Sequence, residues 1–468
     1  MRAPWLLTCA LLVAHIGHGA RAAEADPGLV EQGRYLAKAG DCESCHGASF
    51  AGGDPVPSPI GNIYATNITS DKKTGIGSWT LDQFSNVLRR GKGPDGYLFP
   101  AMPYPSYTGL SASQIQALYS YFMLGVAPVS NQPPKTRLPF PFYRPLMAGW
   151  NAFFLDQGHA TGSVQVTGHA QERGRVLVET LGHCTACHTP RGELMQQDPK
   201  RHLAGAMTAG WWAPNITPDS SGIGGWSDAQ FATFLVTGHT DVALAAGEMA
   251  KVVSNGLSKL TKEDIGAIAS YLRAVPAVAS DAPKKTASSG ALATQVGLIE
   301  ASGPTDWQTM LGHGGTQADV LYQSACASCH GVDGKGSTDL KNPSLQRIAS
   351  VRGPKGATLV QVIAHGVDRQ VGDEHTLMPA FRASLDDAQI ASLANYVRTT
   401  FGGVEGSVNA SRVESILSGQ VDTPWLIQNA RWLAMLAIVI VTLFLMGAVW
   451  AGIRVLGRPA RRARLKVQ

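Results

Sequence analysis

A chain of 468 residues with 52 Gly, 27 Pro and only 16% charged residues is long enough for two to four domains with their own cores, and this composition excludes a disordered protein. The formal charge of +5 sits at the ends: Arg454, Arg458, Arg461, Arg462, Arg464 and Lys466 near the C-terminus, Arg2 and Arg21 near the start. Without those eight the body is mildly acidic, at −3, so nucleic-acid binding has no electrostatic support.

The opening MRAPWLLTCALLVAHIGHGARA reads as a secretory leader over residues 1–22, with Ala20-Arg21-Ala22 fitting a small-residue cleavage site. Cys9 leaves with it. The remaining six cysteines fall in three Cys-x-x-Cys-His triplets: Cys42, Cys45, His46; Cys184, Cys187, His188; Cys326, Cys329, His330. Each ends a short helical stretch, GRYLAKAGDCESCH (33–46), GRVLVETLGHCTACH (174–188) and DVLYQSACASCH (319–330). A second block closes each copy: LSASQIQALYSY (110–121), LTKEDIGAIASY (260–271) and LDDAQIASLANY (385–396). Ser111, Thr261 and Asp386 stand where an N-cap belongs, with Gln114, Asp264 and Gln389 three residues on, a capping-box spacing that Asp serves less well. Ile115, Leu118 and Tyr121 recur as Ile265, Ile268 and Tyr271 and as Ile390, Leu393 and Tyr396, one helix face each. Copies one and two also share NITSDKKTGIGSWTLDQF (67–84) and NITPDSSGIGGWSDAQF (215–231), which copy three lacks. Self-similarity at this scale predicts an all-α chain of three tandem domains, 28–136, 166–279 and 313–403, because no segment of useful length alternates with period two. Linkers are expected over 137–165, Pro- and aromatic-rich, and over 280–312, polar and Ala/Ser-rich, with a juxtamembrane segment over 404–430.

Residues 432–453 carry no charge and, at 1.5 Å per residue, reach roughly 33 Å, enough to cross a bilayer core. A membrane helix is expected over 431–454, with Trp432 and Trp450 as interfacial anchors and the basic tail 455–468 on the cytoplasmic side. Leader and tail together predict a periplasmic body on the inner membrane. The aromatic-rich stretch PFPFYRPLMAGWNAFF (139–154) is an alternative membrane-docking surface, in place of that helix.

Cys-x-x-Cys-His is the attachment signature of a c-type haem: two thioethers to the vinyl groups and an adjacent His on one face of the iron. A zinc site needs four converging ligands and a thiol redox pair needs no following His, so three covalently bound haems c are expected. The opposite face of each iron needs a second ligand. Met102 and Met378, both Met-Pro in a loop eight and seven residues before the closing block, are the candidates in copies one and three. Met249, eleven residues before it, is the candidate in copy two; Met207 and His239 compete in copy two, and His365 and His375 in copy three. A thioether ligand favours reduced iron and raises its potential. Arg191, three residues past His188, is a candidate partner for a haem propionate.

These motifs, with YLFPAMPY (97–104), CHTPRG (187–192), GVDR (366–369) and LMPAF (377–381), resemble the triple-haem cytochrome c subunits of bacterial membrane-bound sugar and polyol dehydrogenases, across nearly the whole chain. The resemblance implies an electron-transfer subunit that takes electrons from a flavoprotein catalytic subunit, itself accompanied by a small subunit, and passes them to ubiquinone. Related cytochrome subunits serve quinoprotein alcohol dehydrogenases and molybdopterin aldehyde dehydrogenases, and a stand-alone haem oxidoreductase is a reading of another class. No Gly-x-Gly-x-x-Gly after a strand and no phosphate loop appear, so substrate oxidation belongs on a partner.

Overall fold

The computed structural model describes residues 26–155, 166–280, 318–337, 342–420 and 422–456. The leader, most of the second linker and the basic tail lie outside the described residues.

The first domain opens with α1 (Pro27–Ala39), which Asp26 caps by accepting from the Gly28 amide, with Pro at the first position. The triplet forms α2 (Cys42–His46). A hairpin, β1 (Pro55–Ser58) with β2 (Gly61–Tyr64), leads to α3 (Leu81–Arg90). A shorter hairpin, β3 (Lys92–Gly93) with β4 (Gly96–Tyr97), precedes α4 (Tyr104–Tyr107) and α5 (Ala112–Ser120). Helices α1 and α5 cross so closely that a Cβ on Gly33 would lie 1.9 Å from the Ala117 carbonyl oxygen, so only glycine fits there. The span 137–155 is structured: α6 (Met147–Phe154) lies along the body, tied by Asn151, which accepts from the Tyr104 hydroxyl at 2.7 Å and donates to the Arg90 carbonyl at 2.9 Å.

The second domain repeats the plan with α7 (His169–Arg175), α8 (Thr185–His188), the hairpin β5 (Ala206–Thr208) and β6 (Trp211–Ala213), α9 (Asp228–Thr237), α10 (Glu248–Lys251) and α11 (Lys262–Ala274). Gly174 meets Ala267 as Gly33 meets Ala117, a Cβ there lying 2.0 Å from the carbonyl oxygen. From Gly33 to Cys42 is nine residues and from Gly174 to Cys184 ten. The extra residue is absorbed by a π-helical turn over Val176–Leu181, which widens the helix without moving either end of the motif.

The third domain has α12 (Ala318–Ala325), α13 (Ala327–His330), α14 (Ala349–Arg352), α15 (Ala357–His365), the hairpin β7 (Val367–Val371) and β8 (Glu374–Met378), and α16 (Asp387–Thr400). Helix α17 (Ala410–Leu417), within the segment expected to be juxtamembrane, packs on the third domain: Val413 and Ile416 are fully buried in this domain's core. Helix α18 (Trp425–Leu456) stands clear of the body, with no part of its most apolar window buried, and is long and apolar enough to cross a membrane.

The all-α expectation is amended by the four two-stranded antiparallel hairpins among the described residues. Their strands are two to five residues long, too short for a period-two signal in the sequence. The expectation of separate cores is amended too. Leu36, Tyr107 and Leu110 of the first domain and Leu177, Val178 and Leu181 of the second belong to one buried cluster. The third domain has its own cluster, onto which Met207 and Leu244 of the second domain pack.

Capping boxes close fully at Ser111/Gln114 and Asp386/Gln389. At Thr261 the backbone half forms, but the Asp264 carboxylate turns away to take two bonds from Arg173, at 2.8 and 2.6 Å, and one from the Tyr35 hydroxyl at 2.5 Å. The weaker box releases a carboxylate that joins the first two domains.

Candidate functional site

Each triplet histidine is set by one hydrogen bond. His46 Nδ1 lies 2.7 Å from the Thr66 carbonyl oxygen, His188 Nδ1 2.6 Å from that of Pro214, and His330 Nδ1 3.1 Å from that of Pro343. A carbonyl only accepts, so Nδ1 carries the proton in all three and Nε2 is left with its lone pair. Burial pushes all three imidazoles below their usual range, partly opposed by the carbonyl bond, which keeps them neutral at neutral pH. This is the form that ligates iron.

The repeated Asn-Ile-Thr block explains how the carbonyl is held. Asn67 accepts from the Thr69 amide at 2.9 Å and donates to the Val129 carbonyl at 2.8 Å. Asn215 accepts from the Thr217 amide at 2.8 Å and donates to the Val278 carbonyl at 2.7 Å. Both asparagines are buried and each directly follows the residue whose carbonyl faces the histidine. Copy three lacks the block, and its carbonyl comes from a different turn at the longest of the three distances.

None of the six triplet cysteines is paired in a disulfide. Burial raises the Cys45 thiol to about 11, with Asp41 and Glu248 adding to the effect and the nearby Cys187 contributing. The Cys45 and Cys187 thiols therefore lie within electrostatic reach of one another. The Asn255 side chain donates to Ser44 Oγ, inside the first triplet, at 3.0 Å. Cys42 and Cys184 pack on the shared buried cluster with Met102, and Cys326 packs on the cluster of the third domain.

The candidate methionines fall in one structural frame that the spacing to the closing block obscures. Helices α3, α9 and α15 each end at a glycine with positive φ: Gly91 (57°), Gly238 (77°) and Gly366 (73°). Met102 and Met249 both lie eleven residues beyond that glycine and Met378 twelve. The Leu98 and Ala245 amides, each seven residues beyond, both return a 2.7 Å bond to the glycine carbonyl. Counting from the helix end aligns Met249 with Met102, a signal already present in the sequence. All three methionines are half-buried.

The competitors have other partners. Met207 lies in β5 and packs on the third domain. His239 Nδ1 meets an Arg369 terminal nitrogen at 3.4 Å and its Nε2 stands 3.6 Å from Glu374. His375 pairs with Asp368 at 2.8 Å, and His365 is exposed at the end of α15. The Arg191 guanidinium is desolvated and donates to the Ala186 carbonyl at 2.7 Å and the Met195 carbonyl at 3.2 Å, bracing the loop after the second triplet.

Sequence reasoning missed a buried polar cluster in the second domain. Glu179 accepts from the Tyr271 hydroxyl at 2.8 Å and bonds His202 Nε2 at 2.9 Å, while His202 Nδ1 is buried without a hydrogen-bond partner. Glu179 sits in an apolar helical stretch, where no spacing signal distinguishes it from a solvated face.

The neutral imidazoles, paired thiols and buried apolar walls fit three haems c. A family model for cytochrome c matches residues 30–124, 171–276 and 317–401. The chain is 39% identical over 445 residues to the fructose dehydrogenase cytochrome subunit of Gluconobacter japonicus, covering 89% of this chain and 90% of that one. It is 36% identical over 412 residues to the gluconate 2-dehydrogenase cytochrome c subunit of Pantoea cypripedii, covering 84% and 90%. It is 33% identical over 457 residues to the cytochrome c subunit of the quinone-type alcohol dehydrogenase of Gluconobacter oxydans, covering 93% and 92%. With three matched domains, three triplets and near full-length similarity to these subunits, the chain belongs to the cytochrome c family, among the triple-haem cytochrome subunits of dehydrogenases.

Proposed function

We propose that this protein is the electron-transfer subunit of a membrane-bound dehydrogenase complex, taking electrons from a flavoprotein sugar or polyol dehydrogenase with its small subunit and delivering them to ubiquinone. Iron in haem c supplies reversible one-electron chemistry. The chain's residues supply the rest: His46, His188 and His330 as one ligand of each iron, Met102, Met249 and Met378 as the other, and the six cysteines as covalent tethers. The observation that carries the reading is the packing of the three triplet domains into one body. The π-helical turn Val252–Gly256, just past Met249, touches the triplet helix α2 of the first domain and β7 of the third. The second domain thus links the other two, as relay between redox centres requires.

The first two relatives by name serve fructose and gluconate dehydrogenases, which favours the flavoprotein partner over the quinoprotein or molybdopterin one. The apolar α18 supports an anchor in the inner membrane, with the body on the periplasmic face and the basic tail cytoplasmic. Arg191 is placed beside the second triplet, where a propionate would compete with its present carbonyl partners. Purifying the native complex and identifying its non-haem prosthetic group tests the proposal: flavin is expected, and a quinone cofactor or molybdopterin in its place overturns the partner assignment.

A further inference from the structure

The span 143–154 presents an apolar surface that the electron-transfer reading does not use. Tyr143 is 53% exposed, Leu146 56% and Phe153 83%, and α6 buries none of its residues. Residues 145–155 contain no charge. Two polar side chains of α6 bond to the body, Asn151 to Tyr104 and Arg90, and the Trp150 indole N–H to the Leu194 carbonyl at 2.9 Å; the turn before it carries the Tyr143 hydroxyl and the one charge, Arg144, both polar tips suited to a headgroup layer.

The neighbouring residue, Glu193, accepts at 3.0 Å from the amide of Leu426, in the first turn of α18. Two consecutive loop residues therefore hold both the strap and the root of the membrane helix. Leu194 itself is 47% exposed. From Leu426 to Trp432, where the uncharged span begins, is six residues, a rise of about 9 Å. One headgroup layer is about 5–8 Å deep, so the root of α18 stands at its outer edge. The strap thus stands at the level of the lipid headgroups, where aromatic and aliphatic side chains on a short in-plane helix partition favourably.

We propose that α6 and the turn before it are a second membrane contact, an apolar foot that lies in the headgroup and upper acyl region beside the root of α18. The occupant of this face is lipid, because the face is continuous with the point where the chain enters the bilayer. One helix alone leaves the body free to tilt and turn about its axis; a second contact at a fixed distance from the first sets the orientation of all three domains to the membrane plane. The inference does not depend on which dehydrogenase is the partner.

The test uses the full haem-loaded chain in its complex, in vesicles of phosphatidylethanolamine and phosphatidylglycerol. Phe153→p-benzoylphenylalanine is irradiated and its adducts are identified by mass spectrometry, with Asp373→p-benzoylphenylalanine, at the exposed turn of the β7–β8 hairpin, as the reference. Unchanged haem content and visible spectrum confirm folding, and Leu146→p-benzoylphenylalanine gives an independent second site. Lipid adducts several-fold above the reference at 153 and 146 are expected. Crosslinks to a dehydrogenase subunit instead, or adducts no more frequent than at 373, overturn the proposal.

Discussion

The Tyr35 hydroxyl of the first domain donates to the Asp264 carboxylate of the second at 2.5 Å, and Arg173 holds the same carboxylate with two further bonds. Burial alone would raise the Asp264 carboxyl, but the Arg173 and Tyr35 bonds more than offset it and the group sits below the usual carboxylate range. A depressed carboxyl stabilises the fold above its unfolded pKa, near 4, and loses that contribution as pH falls through the folded value. Asp264→Asn is expected to cost about 1–3 kcal/mol at pH 7, read as a lowered unfolding midpoint. The gap to the parent should narrow below pH 4; an unchanged gap there contradicts the linkage.

Asp41 carries the opposite sign. Burial pushes its carboxyl to about 7, with Glu43 and Glu248 adding to the rise and a bond from Ser44 opposing it. The folded chain then holds a proton that the unfolded chain has released, so stability falls as pH rises from about 4 to 7. Asp41 has φ of 48°, which Asn also tolerates, so Asp41→Asn keeps the backbone. Denaturation midpoints measured from pH 5 to 8 should decline in the parent and flatten in the variant.

In the first two domains the two sides of the iron should respond with opposite signs. Met102→Leu, Met249→Leu and Met378→Leu are each expected to lower one haem's potential with all three haems still attached, because the thioether favours the reduced state. Asn67→Ala or Asn215→Ala should raise one potential modestly, because loosening the carbonyl on Nδ1 makes the imidazole a poorer donor. Spectroelectrochemical titration with a pyridine haemochrome count reads both. No shift for Met249→Leu would remove that residue from the ligand set.

Removing 424–468 is expected to leave three haems attached and soluble dye reduction intact, because the cut spares α17 and the core it completes. Ubiquinone reduction in membranes should fall. A truncated complex that still reduces quinone at the full rate would make the helix dispensable.

The triplets, the closing helices and the long apolar span were legible because each rests on local spacing. Ile115, Ile265 and Ile390 are buried as their period requires. The alignment of Met249 was legible from Gly238 but not from Leu260, because a π-helical turn and a 3-10 turn, Leu257–Lys259, lengthen that stretch. Other features depend on tertiary context. Asp264 reads as a cap and serves as a clamp because Tyr35 and Arg173 reach it from distant parts of the chain. The burial of Ile416 depends on the third domain folding around α17. Nothing local marks Glu193 as the partner of Leu426, since 233 residues separate them.

The central claim is that electrons cross this chain from a dehydrogenase partner to quinone. Anaerobic mixing of the purified native complex with its sugar substrate, followed by a short-chain ubiquinone, tests it directly in the haem α-bands. The account predicts that substrate reduces all three haems and that ubiquinone reoxidises them. Quinone reduction while the haems stay oxidised, or substrate-reduced haems that ubiquinone leaves reduced, would contradict it.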